Sequence, residues 1–297
     1  MLADIPRFNQ RARRFLMRDE RDRPLREFLE SGRHGRGFLA HFLKPMAAAI
    51  WSSTQAEIGA ASTRSFLGFF ANHGWLTLDG AHRWRTIKGG SRTYVDAIRR
   101  FFKDEVRCST RISSILRDEA GVVVTDAERR AERFDKVVLA VHANDALRLL
   151  SDARPVELDL LNRFRYSKNR AVLHTDVSAM PRGRDAWASW NSDLEDCRDD
   201  SAPVALTYHL SRLQSLPGPT EYMVSLNGRP PADPRVIAEM TYSHPILDAR
   251  AVAAQGELDQ LSGESHTYFC GAHLRHGFHE DGVVSALRVA EKLGVAA

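Results

Sequence analysis

An apolar run near the C-terminus is followed by glycines, a polar loop and a helix, and this order of residue types can bind an anion or a cofactor. The run ends at Gly271, and residues 277–282 open a helix whose apolar residues recur at helical spacing. The first N–H groups of a helix have no internal partner, and the helix end carries about half a positive charge. Glycines let another molecule approach the backbone closely. The same spacing fits an ordinary connection between a strand and a helix, so spacing alone leaves both interpretations open.

A second pair of glycines lies in the first third of the chain. Lys88, Gly89 and Gly90 precede a helix, for which Ser91 or Thr93 is the expected N-cap. Such a pair either directs backbone N–H groups at a ligand or simply makes a turn. The residues by themselves do not decide between the two.

Side chains with the pattern of a metal or hydrolytic site are scarce. The histidines nearest to such a pattern are His174, His273, His276 and His279. They have no cysteine or second carboxylate at ligand spacing, so we expect no metal. Glu280 and Asp281 are expected to stabilise the first turn of the helix, by about 0.3 to 1 kcal/mol, rather than to act as catalytic acids. No G-x-S-x-G or Cys–His arrangement supports hydrolysis.

Composition places the chain among ordinary globular proteins. It has 297 residues, 43% hydrophobic and 27% charged, which predicts one large or two intergrown domains. It contains no apolar run of about eighteen residues and no signal peptide, so a cytoplasmic location is expected. The cysteines Cys108, Cys197 and Cys270 are far apart and predict neither a disulfide framework nor a zinc site.

The net charge of +4 comes almost entirely from arginine and is concentrated only in the R-A-R-R run at residues 11–14. This run fits a solvated helix face, and it also fits a peripheral contact with an anionic membrane. A nucleic-acid partner is not expected, because no array of interleaved basic and aromatic residues and no DNA-binding motif accompanies the run.

Hydrophobic periodicity predicts a mixed fold. Residues 1 to about 75 show helical spacing, and most of their aromatic side chains are expected in the core. Residues 106–142 predict three strands with a turn at 119–121. Further strands are expected at 171–176, 186–191 and 204–210.

The amino-acid sequence of the C-terminal segment resembles a flavin-binding motif. The run F-C-G-A, followed by G-F-H-E-D-G-V-V-S-A and a helix, is similar to the C-terminal motif of the amine oxidase-like flavoprotein superfamily, most of all to a bacterial group of predicted NAD/FAD-binding members. That motif often reads G-x-M-E-G, and here Asp281 is an extra residue before the glycine. The K-G-G-S run resembles the G-G segment of the superfamily, and the strands after it resemble a meander of its FAD domain.

The resemblance implies FAD as the cofactor and assigns residues to its site. The implied cofactor-binding residues are Lys88, Gly89, Gly90, Ser91, Arg111, Ile112, Gly271, Ala272, Gly277, Phe278, His279, Glu280, Asp281 and Gly282. Amine oxidases of the superfamily hold a lysine near the flavin through water. Arg170 corresponds to that lysine, and Lys168 lies two residues earlier on the same strand face. Both are catalytic candidates.

The resemblance also implies an α/β fold of two intergrown domains. One is an incomplete FAD/NAD(P)-binding Rossmann-like domain, and the other is a substrate domain with a mixed sheet and a helical layer. The expected segments are substrate-domain helices at 1–87, an FAD-domain segment at 88–143, the substrate-domain sheet at 144–263 and a C-terminal FAD-domain strand and helix at 264–297.

One part of the superfamily pattern has no counterpart in this sequence. Relatives begin with a strand and G-x-G-x-x-G, followed about twenty positions later by an acidic residue that holds the ribose. No such glycine cluster occurs here. We therefore expect a flavoprotein truncated at its N-terminus, with apolar faces left uncovered and with weak or no FAD binding on its own.

The expected function is that of an FAD-dependent oxidoreductase of the amine oxidase-like class. It would transfer a hydride from a C–N or C–C bond of an apolar or lipid-like small molecule to flavin. Phe278 corresponds to one of two aromatic residues that flank the flavin in amine oxidases, and the second has no counterpart, which argues against a simple amine substrate. The alternative is a non-catalytic binding or scaffold protein that has lost cofactor binding. The sequence leaves the oligomeric state and the electron acceptor open.

Overall fold

The structure is a computed structural model that describes residues 2–18, 20–51, 54–77, 85–102, 105–193, 204–229 and 231–295. It is 44% helical and 23% strand, which confirms the predicted mixture of helices and sheet. No helix among these residues is long and apolar enough to cross a membrane.

The elements follow one another along the chain in four stretches. Residues 1–103 contain α1 (Asp4–Met17), α2 (Leu25–Glu30), α3 (Arg36–Phe38), a π-helical turn (Leu39–Leu43), α4 (Lys44–Trp51), α5 (Gln55–Ala60), α6 (Thr63–Asn72) and α7 (Arg92–Arg99). Residues 104–164 contain β1 (Ile112–Asp118), β2 (Gly121–Asp126), β3 (Ala131–Phe134), β4 (Val137–Leu139), α8 (Ala143–Leu149) and α9 (Pro155–Asn162). Residues 165–246 contain β5 (Arg165–His174), β6 (Trp190–Asp193), β7 (Ala205–His209), α10 (Leu210–Leu213), β8 (Met223–Leu226) and β9 (Val236–Ile246). The last stretch contains α11 (Ala249–Leu261), β10 (Thr267–Phe269) and α12 (His279–Lys292).

The chain forms two compact units, each built from two separate stretches. Unit 1 comprises residues 1–103 and 166–246, and unit 2 comprises residues 104–165 and 247–297. The crossing points therefore lie at 103/104, 165/166 and 246/247, whereas the sequence suggested 87/88, 143/144 and 263/264. Which unit holds a cofactor and which holds a substrate stays a prediction.

Aromatic side chains form the helical core of unit 1, as expected. Phe66, Phe69 and Phe70 of α6 are each 2% exposed and pack together with Trp51 and Trp75 at centroid distances of 4.5 to 5.7 Å. The hydroxyl of Ser62 accepts the Ser65 N–H and so caps α6, which ends at Asn72 before Gly74 turns the chain at φ +69°. The cap residue and the buried aromatic residues lie within the same short segment, so the bounds of this helix can be predicted from the local sequence.

The sheet of unit 1 has the strand order β6-β7-β8-β5-β9 and contains a buried polar layer on one face. His174 accepts the Asp176 N–H at Nδ1 (3.1 Å), so its Nε2 carries the proton and donates to Ser225 Oγ (2.8 Å). Ser225 Oγ lies 2.9 Å from Thr207 Oγ1. Burial lowers the pKa of His174, because a charged ring would lose its hydration there. This histidine is a satisfied core residue.

Unit 2 contains an antiparallel meander, β1-β2-β3, and a separate parallel pair, β10-β4. The predicted turn at 119–121 is confirmed: β2 begins at Gly121, whose φ of +136° favours glycine. The predicted third strand was wrong as a single strand. It breaks at Asp135 and Lys136, and its second half, β4, leaves the meander to pair with β10. A pairing partner more than a hundred residues away cannot be read from local alternation.

A buried ion-pair network joins three parts of unit 2. The Arg117 guanidinium of β1 donates to both carboxylate oxygens of Glu157 in α9 (2.6 and 2.8 Å), to Asp152 (3.1 Å) and to Thr267 Oγ1 at the start of β10 (3.3 Å). The Arg117 side chain is 3% exposed and that of Glu157 is 0% exposed. Burial opposes the ionisation of Glu157, but the hydrogen bonds from Arg117 and Arg154 outweigh it, so its pKa is lowered.

Replacement of Arg117 by leucine should destabilise unit 2 by about 3 to 5 kcal/mol, because it leaves the Glu157 carboxylate buried without its main partner. Urea unfolding followed by circular dichroism measures the change. Arg133→Leu is the matched control on β3, since it breaks an exposed pair with Asp118 and should change stability little. Equal losses in the two variants would contradict the role given to the buried network.

Candidate functional site

The C-terminal glycine turn joins a buried strand to the last helix of unit 2. Strand β10 is buried along its length, and its Tyr268 packs with Cys270 and with Val289 of α12. Gly271 follows with φ +153° and ψ 158°, and a short 3₁₀ turn (Ala272–Leu274) and Gly277 at φ +94° lead into α12. A Cβ atom on Gly271 would lie 2.7 Å from the His273 ring, so only glycine fits there.

Side chains of unit 2 itself hold this turn in place. Gly271 N–H donates to Ser285 Oγ (2.9 Å), and that hydroxyl donates to the Gly282 carbonyl (2.8 Å). Gln255 of α11 donates to the carbonyls of His273 (3.0 Å) and Arg275 (2.6 Å). Because the Gly271 N–H is satisfied within the chain, this position can offer a ligand close approach to its backbone but no donor.

The N-terminus of α12 carries its own carboxylate. Asp281 Oδ2 accepts the Phe278 N–H (3.0 Å), and its Oδ1 lies 3.6 Å from Arg275 Nε. The side chain of Asp281 is 9% exposed, and its charge offsets the positive end of the helix. This geometry agrees with the expectation that Asp281 stabilises the helix, and it makes the first turn of α12 unsuitable for a phosphate.

His273 is a buried neutral residue beside the glycine turn. It is 6% exposed, and its ring packs edge-to-face with that of Phe164 at a centroid distance of 5.1 Å. Burial lowers the pKa of His273 to about 4, with a smaller contribution from the positive charge that His142 can carry. Among the residues that the structure describes, no group of three or more histidine, cysteine or acidic side chains is placed to hold a metal ion.

Ile112 begins the meander directly after Arg111, and it lines an open pocket of about 710 Å³. Its walls include Ile112, Val124 and Phe134. At its rim Arg107 forms a two-fold ion pair with Glu132, and Arg130 Nε lies 2.6 Å from Asp126 Oδ2. Apolar walls with charges that already have partners suit a flat, uncharged ring better than a phosphate. The pocket and the Gly271 turn belong to the same unit.

The Lys88–Ser91 turn lies in unit 1 and is exposed. Gly89 and Gly90 have φ values of +85° and +79°, which explains the glycine pair. Ser91 is the N-cap residue of α7, as expected, but its side chain makes no cap hydrogen bond. Thr93 lies inside the helix, and its hydroxyl donates to the Lys88 carbonyl (3.3 Å). No side chain of α7 is buried.

The two catalytic candidates lie on β5 in unit 1. Arg170 binds Glu239 of β9 through two hydrogen bonds of 2.6 Å, and these raise the pKa of its guanidinium. Arg170 therefore stays charged and paired with Glu239, and it cannot accept a proton. Lys168 is exposed. A separation of two residues places it on the same strand face as Arg170, as expected.

Sequence reasoning missed Ser285 and Gln255, which shape the turn without belonging to its motif. Ser285 lies three residues after Gly282, the spacing at which a helical hydroxyl meets the preceding turn. That spacing was a usable signal. Gln255 gave no signal, because only the tertiary structure brings α11 beside the loop.

These features define a mixed α/β protein of two intergrown units, with a glycine turn at the end of a parallel strand pair. The family model of the flavin-containing amine oxidoreductases matches residues 3–173, more than half of the chain. The chain belongs to this family. The match ends before the Gly271 turn, so that turn lies outside the matched residues. No curated protein sequence matches the chain.

Solved structures share the fold over almost the whole chain. A CLA-producing fatty acid isomerase from P. acnes matches with TM-score 0.65 and 13% identity, over 92% of this chain and 67% of that chain. Cyclohexylamine oxidase from Brevibacterium oxydans IH-35A gives 0.62 and 13%, over 92% and 68%. Reduced UDP-galactopyranose mutase gives 0.60 and 12%, over 97% and 72%. At such identities the likeness shows the fold alone.

Acid should destabilise the folded chain through His273. The unfolded ring takes up a proton as the pH falls below 6.5, whereas the folded ring resists until about pH 4. Stability is therefore full above pH 6.5 and should fall by about 3 kcal/mol between pH 6.5 and 4. Urea unfolding at several pH values measures this slope.

The variant His273→Asn should remove most of that slope, whereas His279→Asn, at an exposed position of the same unit, should keep it. The acidic groups with pKa values of about 2, Asp118 and Asp176, act below this window. A slope unchanged by His273→Asn would refute the buried neutral assignment.

Proposed function

We propose that this chain belongs to an FAD-dependent oxidoreductase that takes a hydride from a C–N or C–C bond of an apolar or lipid-like substrate. The observation that carries the proposal is the family match over residues 3–173, to flavin-containing amine oxidoreductases. Two structural neighbours, a cyclohexylamine oxidase and a fatty acid isomerase, are named for substrates with a large apolar part, and they support such a substrate here.

The residues of unit 2 suit one end of a flavin cofactor. The extended backbone at Gly271, just before the 3₁₀ turn that Ala272 begins, lets a flat ring approach closely, and residues 277–282 supply the start of α12. The pocket beside Ile112 suits the adenine end. When bound, flavin supplies the hydride acceptor. The protein would supply orientation and would exclude water.

Unit 1 is the proposed source of substrate contacts. Phe66, Phe69 and Phe70 are buried against one another, so the half-exposed Trp51 and Trp75 are better candidates for contact with an apolar molecule. On the sheet, half-buried Tyr208 lies against an apolar cluster, and burial raises its pKa to about 12. Such a phenol stays protonated and can donate a hydrogen bond to a polar group of the substrate.

Lys168 is the proposed residue for the role of the flavin-facing lysine. Arg170 is held by Glu239, whereas the exposed Lys168 amine can hold a water molecule or a substrate group. In this proposal Lys168 binds and orients, and Arg170 fixes β9 against β5.

The nucleotide end of the cofactor needs a further phosphate-binding element. The sequence holds no G-x-G-x-x-G, and the N-terminus of α12 is already neutralised by Asp281. We therefore propose that FAD is retained only when a strand, glycine loop and helix from outside this sequence complete the site.

Flavin retention tests this proposal. The purified chain should lose added FAD on gel filtration, whereas a form extended by coding sequence upstream of Met1, where that sequence encodes such a glycine loop, should keep FAD in near-equal amount. Gly271→Val in the extended form should lower retention at least about tenfold, since its side chain meets the His273 ring. Gly183→Val is the matched control, because a Cβ atom there meets nothing within 4 Å and the φ of −89° suits valine. An extended form that retains no flavin absorbance after gel filtration would refute the enzyme proposal.

The rival function is that of a non-catalytic scaffold. It is favoured by one observation: the N–H groups of Gly271 and of Phe278, the N-cap residue of α12, are satisfied within the chain. A scaffold keeps its fold and binds no flavin in any form of the chain, so the same gel-filtration experiment separates the two functions.

We also propose that the outward face of α1 contacts anionic lipid. This face carries Arg13 and Arg14, both exposed and without an ion pair among the described residues, and Met17 at 81% exposure. The one acidic residue of α1, Asp4, is buried, so negative charge does not offset this face. Phosphatidylserine headgroups carry the negative charge that complements this basic face.

Arg13→Gln/Arg14→Gln should weaken binding to phosphatidylserine vesicles about thirtyfold, since each arginine near such a surface contributes about 1 kcal/mol. Co-sedimentation at low and high salt measures the change. Arg99→Gln/Arg100→Gln, an adjacent exposed pair at the C-terminal end of α7, is the matched control. Equal binding to phosphatidylcholine vesicles, or a loss with the α7 pair alone, would refute the α1 assignment.

A further inference from the structure

Three arginines of unit 1 lie over two buried aromatic rings. The ring centroids of Phe15 and Phe28 are 5.4 Å apart, and the two side chains are 2% and 1% exposed. Arg11 Cζ lies 4.0 Å from the Phe28 centroid, and Arg64 Cζ lies 5.4 Å from the Phe15 centroid. Arg23 Cζ lies 5.5 Å from the Phe15 centroid and 6.0 Å from the Phe28 centroid. These three arginines form a basic cluster, to which α1, α6 and the connection between α1 and α2 each contribute one residue.

Carboxylates of the chain do not pair closely with the basic cluster. Among the residues that the structure describes, Arg11 and Arg64 form no ion pair, and the pair of Arg23 with Glu20 has an N–O distance of 3.9 Å. That distance is too long for a hydrogen bond. Both oxygens of Asp22 are already occupied, because they accept a serine hydroxyl and the backbone N–H of Arg64 (2.5 and 2.9 Å). The basic cluster therefore has no close negative partner in the described part of the chain.

The basic cluster also contains a buried donor without an acceptor. Arg11 donates to the Phe28 carbonyl, and Arg64 donates to the Glu20 carbonyl (2.8 Å), so the chain itself fixes these two side chains. The Arg23 guanidinium makes no hydrogen bond to a described residue, and its Nε is buried. A buried donor is costly to leave unpaired, and such a group in a folded protein calls for a water molecule or an ion as its partner.

The charges of the basic cluster oppose one another. Burial lowers the pKa of Arg11, and the positive charge of Arg23 lowers it further, whereas the Glu20 carboxylate opposes both effects. Arginines that only cover an aromatic core keep their charged ends in water. The buried Nε of Arg23 departs from that arrangement. An anion bound at the basic cluster would remove the repulsion and accept the unpaired donor.

The chemistry of the donors favours a phosphate group. A guanidinium group presents fixed pairs of N–H donors that match the oxygens of phosphates and carboxylates. A single arginine can satisfy both oxygens of a carboxylate. A phosphate group with about two negative charges and three free oxygens can accept from several arginines at once. The basic cluster brings three arginines together from different elements, which suits the ligand with more oxygens.

We propose that Arg11, Arg23 and Arg64 form a binding site for a phosphate group, either of a small molecule or of an anionic lipid headgroup. Arg23 supplies the hydrogen bonds that it does not make within the chain. Arg11 and Arg64, which the chain holds in place, supply further positive charge. This site goes beyond the proposed function, because it lies in unit 1 and requires no flavin.

Inorganic phosphate is the probe that tests the site. In chloride buffer of low ionic strength, titration calorimetry should show saturable binding of phosphate to the 297-residue chain, and phosphate should raise its midpoint of urea unfolding. Arg23→Gln should weaken binding at least about tenfold, because it removes a charge and charge-assisted hydrogen bonds. Arg26→Gln, at an exposed position of α2, is the matched control and should bind as the unchanged chain does.

The variants also separate a binding site from a purely structural cluster. If the arginines only covered the two rings, Arg23→Gln would shift the unfolding midpoint equally with and without phosphate, and this result would overturn the proposal. Absence of saturable binding, or equal weakening by the Arg23 and Arg26 variants, would overturn it as well. Circular dichroism verifies folding. Arg23→Lys, which keeps the charge but loses the paired donors, replaces a glutamine variant that does not fold and should bind about threefold more weakly than the unchanged chain.

Vesicles of phosphatidic acid distinguish the two sources of the phosphate group. The chain with Arg13→Gln/Arg14→Gln is used, so that the outward face of α1 does not contribute. Co-sedimentation that Arg23→Gln abolishes and inorganic phosphate competes away assigns the group to a lipid headgroup. Phosphate binding without co-sedimentation assigns it to a small molecule. Both results support the site, and neither depends on whether any form of the chain retains FAD.

Discussion

Unit 2 depends on one buried cation. Arg117 is the point at which the meander, α9 and the start of β10 meet, and its guanidinium satisfies two carboxylates and one hydroxyl at once. A planar group with five donors can hold three elements in fixed orientation, which an apolar contact cannot. Thr267 opens β10, which ends at Phe269 two residues before Gly271, so this charge helps to position the strand that leads into the glycine turn. Thr267, which contacts the buried ion pair, lies only four residues before the candidate cofactor turn at Gly271.

The same turn shows how a chain can use its own side chains where a ligand would otherwise bind. The Ser285 hydroxyl accepts the Gly271 N–H, and the Gln255 amide donates to two loop carbonyls. The Asp281 carboxylate lies at the positive end of α12. Each contact satisfies a backbone group that burial would otherwise penalise. The result is a rigid turn with little electrostatic attraction for a phosphate. The glycine at position 271 leaves room for a neutral ring to approach the backbone.

Unit 1 is organised differently, around a polar layer inside an apolar sheet. His174, Ser225 and Thr207 form a hydrogen-bonded chain, and the tautomer of His174 is fixed by the Asp176 N–H. On the neighbouring strand β9, Glu239 holds Arg170, so a residue that the sequence suggested for catalysis has a structural partner. Arginine and lysine are not equivalent at such a position, since a guanidinium stays charged whereas an amine can lose its proton.

The sequence by itself determined the local elements whose causes are local: the α6 helix between Ser62 and Asn72, the turn at Gly121, the alternating strands β5 and β7, and the glycine turn at Gly271. Caps, glycines and periodicity act within a few residues, so their effects can be read directly. Only the tertiary structure decided the pairing of β4 with β10, the boundaries of the two units, and the partners of Arg170, Asp281 and Gly271. Those outcomes depend on residues far apart in the chain. Burial and hydrogen bonding between such residues leave no local pattern.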